Sequence, residues 1–263
     1  MKQIMFQCKT DGSYQIKVIA EILNNIIKMG FFEINENGIF LSMLDPSRKT
    51  MVSIELLSEN FSVFNFNHPK PIFIGINTSH FFKVLKSIKK KDTLEFIIDA
   101  LNPNELIIRT TPKECNRVSL SVIKIQSAQN LEVNRPEGYV NKSIILPSND
   151  FTKMVKDLQV VGSNVLVIES GYDYVKFIAD TDTIIKRCIT FGTIENETKE
   201  TSTFSFDKID RISKMSCFNT PIHVFASTAE LPLQFKTAIG NLGTMRVFIK
   251  SNEMSANESG DAS

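Results

Sequence analysis

Four stretches of the chain place apolar residues at helical spacing and leave basic residues on the opposite side. In 13–28, Ile16, Ile19, Ala20, Leu23 and Ile27 fall on one face, with Lys17, Glu21, Asn24 and Lys28 on the other. In 79–91, Phe81, Val84, Leu85 and Ile88 turn inward, while Lys83, Lys86 and Lys90 recur at i, i+3 and i+7 outside. Thr78 or Ser79 suits the N-cap of that helix. Segment 148–160 buries Phe151, Met154, Val155 and Leu158 and exposes Lys153 and Lys156, with Ser148 as the cap after Pro147. Segment 207–217 buries Ile209, Ile212 and Met215 and leaves Lys208, Arg211 and Lys214 outside.

Elsewhere the pattern is strand after strand. Segments 94–98, 105–108, 118–125, 221–225, 233–237 and 244–249 are rich in β-branched and aromatic residues. Two longer blocks share one order. Residues 32–45 and 51–56 give a strand, a turn at Gly38, a strand, a turn at Asp45 and a strand; 165–180 and 184–191 repeat this with Gly171 and Asp180. Each block follows one helical segment and precedes another. A repeated unit points to a symmetric architecture rather than a single cleft. The prediction is an α+β fold of two similar domains, each with antiparallel sheets and two helices. Residues 1–125 form the first domain and 139–251 the second. The polar stretch 126–138, with Pro136 and Gly138, is the interdomain connector, and the Asn/Ser/Gly-rich end 252–263 reads as a disordered tail.

An apolar fraction of 42% over 263 residues suffices for such cores. The chain has no basic start followed by an apolar run and no stretch of about 18 apolar residues, so it is expected to be soluble and intracellular. Cys8, Cys115, Cys188 and Cys217 are too scattered for a metal knuckle and read as reduced core residues. Net charge is +1, but its distribution is uneven: the four helical segments hold 12 basic and 5 acidic residues, the remainder 18 and 24. Positive charge gathered on helices is the footprint of a nucleic-acid surface.

Motifs for catalysis are missing. No phosphate-binding glycine loop, dinucleotide fingerprint or nucleophile elbow occurs. His68, His80 and His223 have no neighbours at metal-ligand spacing, and Asp180 with Asp182 fits a turn between strands. The expectation is a non-enzyme without cofactor or metal.

The segments Gly38–Leu56, Gly75–Lys86, Leu146–Phe151 and Leu231–Leu233, with Gly243 near the end, carry a family likeness in their order and spacing. Over about residues 1–250 the chain resembles the proliferating cell nuclear antigen (PCNA) family of DNA sliding clamps. The resemblance implies the DNA clamp fold and a trimer closing head to tail into a ring, with helices lining the hole. Lys17, Lys83, Lys86, Lys153, Lys156 and Lys214 stand at positions similar to the family's basic pore residues, and Lys90, Lys208 and Arg211 join them as DNA-binding candidates. Asn24 and Val160 stand where the family often has a basic side chain.

Ring closure would pair an edge strand around Val118–Ile123 with one around Ile184–Ile189 of the next subunit. The family's docking pocket for short hydrophobic motifs corresponds to Leu44, Met51, Leu131, Val133, Pro232, Phe248 and Ile249. Arg48, Lys49, Glu132 and Lys250-Ser251 depart from the family pattern around it. The implied partners are sequence-independent duplex DNA, a DNA polymerase, other replication and repair proteins and a clamp loader. The implied place is the nucleus, or a viral replication site for a large DNA virus. Two alternatives share the fold: a subunit of a heterotrimeric checkpoint clamp, and a viral processivity factor that binds DNA as a monomer.

Overall fold

A computed structural model describes residues 4–114, 117–129, 133–139, 142–181, 184–194 and 199–260. Cys115, Leu131, Glu132 and Asp182 lie outside the described residues. The chain packs as two compact units. One comprises Met1–Met43, Ser53–Val133 and Ala238–Met245; the other comprises Leu44–Val52, Asn134–Thr237 and Arg246–Ser263. A single cut in the connector therefore does not separate them, because Leu44–Val52 packs with the second unit and Ala238–Met245 with the first.

The first unit holds all or most of β1 (Ile4–Thr10), α1 (Ser13–Ile26), β2 (Met29–Asn35), β3 (Gly38–Leu44), β4 (Thr50–Leu57), β5 (Val63–Phe66), β6 (Ile72–Asn77), α2 (Thr78–Leu85), β7 (Thr93–Asp99), β8 (Asn102–Thr111), β9 (Ser119–Lys124) and β10 (Gln126–Ser127). One sheet runs β5-β1-β7-β8-β9, and a second ladder runs β10-β6-β2-β3-β4. The β2–β3 hairpin turns so tightly at Gly38 (φ +152°) that a Cβ there would lie 2.0 Å from Leu56 O. Only glycine fits that approach. Late in β4, Leu57 N donates to Leu242 O at 3.1 Å, and a Cβ on Gly243 would fall 1.8 Å from Glu55 O. The core gathers where both helices meet both sheets. Ile16 and Ile19 of α1, Phe81 of α2, Ile34, Ile54, Phe96 and Leu106 line a small apolar cavity of about 50 Å³ there.

The second unit holds β11 (Ile144–Leu146), α3 (Ser148–Gln159), β12 (Val165–Ser170), β13 (Tyr174–Asp180), β14 (Lys186–Gly192), β15 (Glu200–Ser205), α4 (Phe206–Arg211), a 3₁₀ turn at Ser213–Phe218, β16 (Ile222–Phe225), β17 (Leu233–Ala238), β18 (Gly243–Ile249) and α5 (Asn252–Gly260). Its four-stranded sheet runs β14-β13-β12-β15, and a ladder runs β18-β17-β16-β11. Phe151, Met154, Val155 and Leu158 of α3 are all buried, each worth about 1.5–3 kcal/mol against exposure. Thr152 Oγ1 ties α3 to the 3₁₀ turn through Ser216 Oγ at 2.6 Å.

The expected duplication is present in the order of elements. Helix, three strands, strand, helix and three strands recur: α1, β2–β4, β6, α2 and β7–β9 match α3, β12–β14, β15, α4 and β16–β18. Every pairing given by residue register is antiparallel. The fold is α+β with antiparallel sheets and few helices.

Several details differ from expectation. Asn77, not Thr78 or Ser79, caps α2, its Oδ1 accepting from His80 N at 3.0 Å; Thr78 Oγ1 instead donates to Ile27 O at 2.6 Å. Ser148 is the first residue of α3 and makes no cap bond, the N-cap being Pro147. Helix α2 stops at Leu85 rather than at 91, because Ile88 N turns back to Leu85 O and Asp92 Oδ2 takes Lys89 N. The fourth helix breaks at Ile212 into its 3₁₀ turn, which ends at left-handed Asn219. The end of the chain is not structureless: α5 forms over Asn252–Gly260. Ser251 Oγ accepts from Met254 N at 3.1 Å as its cap, and the Glu253 carboxylate accepts from Thr203 N and Thr203 Oγ1 of β15.

Candidate nucleic-acid and partner interfaces

The basic face follows from the helix periodicity. In the first unit, Phe81 and Leu85 anchor α2 inward, so Lys83 and Lys86 stand exposed. Lys17 of α1 is half-buried, its Nζ donating to Ile88 O at 3.1 Å beyond the end of α2. Lys90 is exposed and carried on the turn rather than on the helix, with Nζ 5.1 Å from the Tyr14 ring centroid. In the second unit, Lys153 and Lys156 project from α3, and Val160 beyond them is 74% exposed. Lys214 is exposed on the 3₁₀ turn, and Arg211 is half-buried and paired with Asp207 at 2.9 Å.

Lys208 departs from this pattern. Its Nζ donates to Asp45 Oδ2 and to Ser47 Oγ, and its side chain is only 14% exposed. An outward heptad position therefore does not make it a phosphate contact, because a carboxylate in the β3–β4 loop claims the charge. Burial alone would raise the Asp45 carboxyl. Bonds from Lys208, Ser47 Oγ and Thr50 N outweigh that and hold it below the usual range.

The residues expected to form a docking pocket separate into lining and core. Phe248, Gln234 and Arg246 with Arg135, Pro136 and Glu137 surround a cavity of about 150 Å³ in the second unit. Tyr139 holds the connector onto this region: its ring packs 5.6 Å from Phe225 and 6.4 Å from Phe248, and its hydroxyl donates to Pro232 O at 2.7 Å. Burial pushes its phenol above the ordinary value. Met51, Phe248 and Ile249 are all buried, at 4%, 3% and 1% exposure, and of the three only Phe248 lines the cavity. Leu44 is half-buried in the second unit, Val133 half-buried in the first, and Leu131 is outside the described residues. The sequence reading missed Tyr139, Gln234 and the Arg135 and Arg246 pair. A tyrosine directly after the connector was the available signal.

The sheets also expose edges. Strand β9 ends one sheet and β14 another, and the large exposed apolar side chains cluster beside them: Val118, Leu120 and Val122 at the first, Ile184, Ile185 and Ile194 at the second. Most soluble proteins blunt such edges. Among the described residues, no group of three His, Cys, Asp or Glu side chains could hold a metal ion.

Comparison with known proteins follows the same lines. Residues 5–131 match the family described as proliferating cell nuclear antigen, N-terminal domain. The proliferating cell nuclear antigen of Chaetomium thermophilum is 24% identical over 256 residues, covering 93% of this chain and 97% of that one. The probable DNA polymerase sliding clamp 1 of Paramecium bursaria Chlorella virus 1 is 22% identical over 256 residues, with 94% and 96% covered. The crystal structure of the Entamoeba histolytica proliferating cellular nuclear antigen superposes with a TM-score of 0.82 at 20% identity, over 95% of this chain and all of that one. In fold, element order and near full-length alignment the chain is similar to proliferating cell nuclear antigens, and residues 5–131 match the N-terminal domain of that family.

Proposed function

We infer that this chain is a DNA polymerase processivity factor: a sliding clamp that encircles duplex DNA as a ring of three copies and docks polymerase and other replication and repair proteins. It tethers by topology and performs no chemistry of its own. The carrying observation is the pair of bare, apolar edge strands set against the duplication. β4 and β18 are the third strands of the first and last blocks, and Leu57 N of β4 bonds Leu242 O, the residue before β18. Their duplicates are β14 and β9, each the end strand of its sheet. The same contact made between copies, β9 of one with β14 of the next, is heterologous and head to tail, so it closes a ring when the rotation permits.

Lys83, Lys86, Lys153 and Lys156, with Lys17, Lys90, Arg211 and Lys214, would face the phosphates. Mobile contacts to the backbone carry no sequence information, which sliding requires. The Phe248–Tyr139–Pro232 region would take a short hydrophobic motif from a partner, and a clamp loader would open the ring. The place of action is the nucleus or a viral replication site.

Light scattering on the purified chain tests the reading. A particle near three times 29.7 kDa is expected. A strict monomer at micromolar concentration would exclude the homomeric ring and turn the assignment to a monomeric or heteromeric factor.

A further inference from the structure

The turn from α2 to β7 carries three consecutive lysines, of which the helix stripe accounts only for Lys90. Lys89, Lys90 and Lys91 are all exposed. Across from them the loop after β8 brings Pro112, Lys113 and Glu114, and the two segments enclose a cavity of about 330 Å³. Its backbone is fixed from several sides. Ser13 Oγ donates to Lys89 O at 3.2 Å, Lys17 Nζ donates to Ile88 O at 3.1 Å, and the Ile88 side chain is 4% exposed. Asp92, itself 7% exposed, closes the turn by accepting from Lys89 N at 2.9 Å. A rigid backbone thus presents mobile ammonium groups to one basin.

The charges in that basin do not cancel. Four lysines line it against two carboxylates. Asp92 is committed to the backbone of its own turn. Glu114 reaches Lys91 at 3.6 Å, with both side chains more than two-thirds exposed, so that pair holds weakly. Like charges around one cavity repel unless an anion enters, and lysine ammonium groups act on phosphate as adaptable point charges. The turn begins directly after Lys86, the last exposed lysine of α2.

We propose that this basin binds a backbone phosphate of nucleic acid, a contact site outside the helix stripe and adjoining its end. The site rests on the nucleic-acid reading above, and it adds Lys89, Lys91 and Lys113 to the residues that reading uses. Its volume admits a phosphate with part of its sugar, and no base-specific group lines it, so the contact is independent of sequence.

The test is anisotropy of labelled duplex DNA with the full chain, from about 50 to 200 mM salt. Lys89→Gln with Lys113→Gln should raise Kd and flatten the slope of log K against log salt by about 1, with the urea unfolding midpoint unchanged. Wild-type slope and Kd, in a preparation where Lys83→Glu with Lys86→Glu does weaken binding, would overturn the basin and leave the helix stripe standing. If neither pair of substitutions changes binding, both readings fall. Glu114→Gln, which removes the competing carboxylate, should tighten binding several-fold; unchanged or weaker binding counts against the site. Lysine ammonium NMR separates the phosphate source. DNA should shift Lys89 and Lys113, and an equal response to tripolyphosphate at the same phosphate concentration would assign the basin to free polyphosphate and overturn the nucleic-acid contact.

Discussion

Lys208 is bonded to Asp45, 163 positions away in sequence, and the carboxylate it reaches is 4% exposed. Asp45 Oδ1 also accepts from Lys49 N and Thr50 N at 2.9 Å each, so one side chain organises the β3–β4 loop. Its folded pKa is depressed. Such a group contributes stability that is complete above its unfolded pKa, about 3.9, and is lost as pH falls through the lower folded value. Asp45→Asn should lower the urea unfolding free energy at pH 7 by about 2–4 kcal/mol, leaving a buried ammonium without its counterion. The deficit should shrink below about pH 4. Lys208→Met should leave DNA affinity unchanged, and a clear loss would return Lys208 to the phosphate-contacting set.

Lys83→Glu with Lys86→Glu should weaken duplex DNA binding and reduce the salt slope by about 1–2. Both residues are exposed on the side of α2 opposite Phe81 and Leu85, so the unfolding midpoint should hold. Unchanged DNA affinity would mean that these lysines only solvate a helix face.

Charge placed on the β9 edge should break the ring of three copies proposed above. Leu120 and Val122 are 57% and 48% exposed, and lysine at either costs the isolated subunit little. Leu120→Lys with Val122→Lys should convert the trimer to monomers by light scattering. A variant that stays trimeric would place the interface at another surface.

Tyr139→Phe keeps the ring against Phe225 and Phe248 and loses only the bond to Pro232 O, a cost of about 1 kcal/mol. Phe248→Ala removes a wall of the cavity. A polymerase C-terminal peptide should bind Tyr139→Phe within several-fold of wild type and Phe248→Ala at least about tenfold more weakly, as hot-spot truncations do. Calorimetry reads both. Equal affinity for Phe248→Ala would move the docking site elsewhere.

The inward faces of the helices were legible because burial follows period: Phe151, Met154, Val155 and Leu158 are all buried where spacing puts them. The strands that the family resemblance marked as edges, β9 and β14, do end their sheets, though periodicity alone did not single them out. Local hydrogen-bond choices were not legible. Periodicity cannot say whether Asn77 or Thr78 caps α2 when both side chains can accept. It also cannot see that an outward Lys208 meets Asp45 from a distant loop. Tyr139 escaped because its role depends on Phe225 and Phe248, which strands from the far end of the chain bring to it. Helix α5 was hidden by composition. Its polar residues resemble a tail, while the cap at Ser251 and the anchor at Glu253 act through position.

That anchor makes the two ends of one sheet unlike. At β15 the Glu253 carboxylate occupies Thr203 N and Asn252 Nδ2 reaches Thr203 Oγ1, while β14 at the other end keeps its apolar fringe open. Burial works against the Glu253 charge, yet the bonds from Thr203 keep its carboxyl below the ordinary range, so the latch is closed at neutral pH. A sheet with one stoppered end has a valence of one for strand addition. In the ring proposed above, copies would join it on a single side, which would disfavour branching and stacking, and a bond that forms in only one direction would give any chain of copies a sense of travel from the first link.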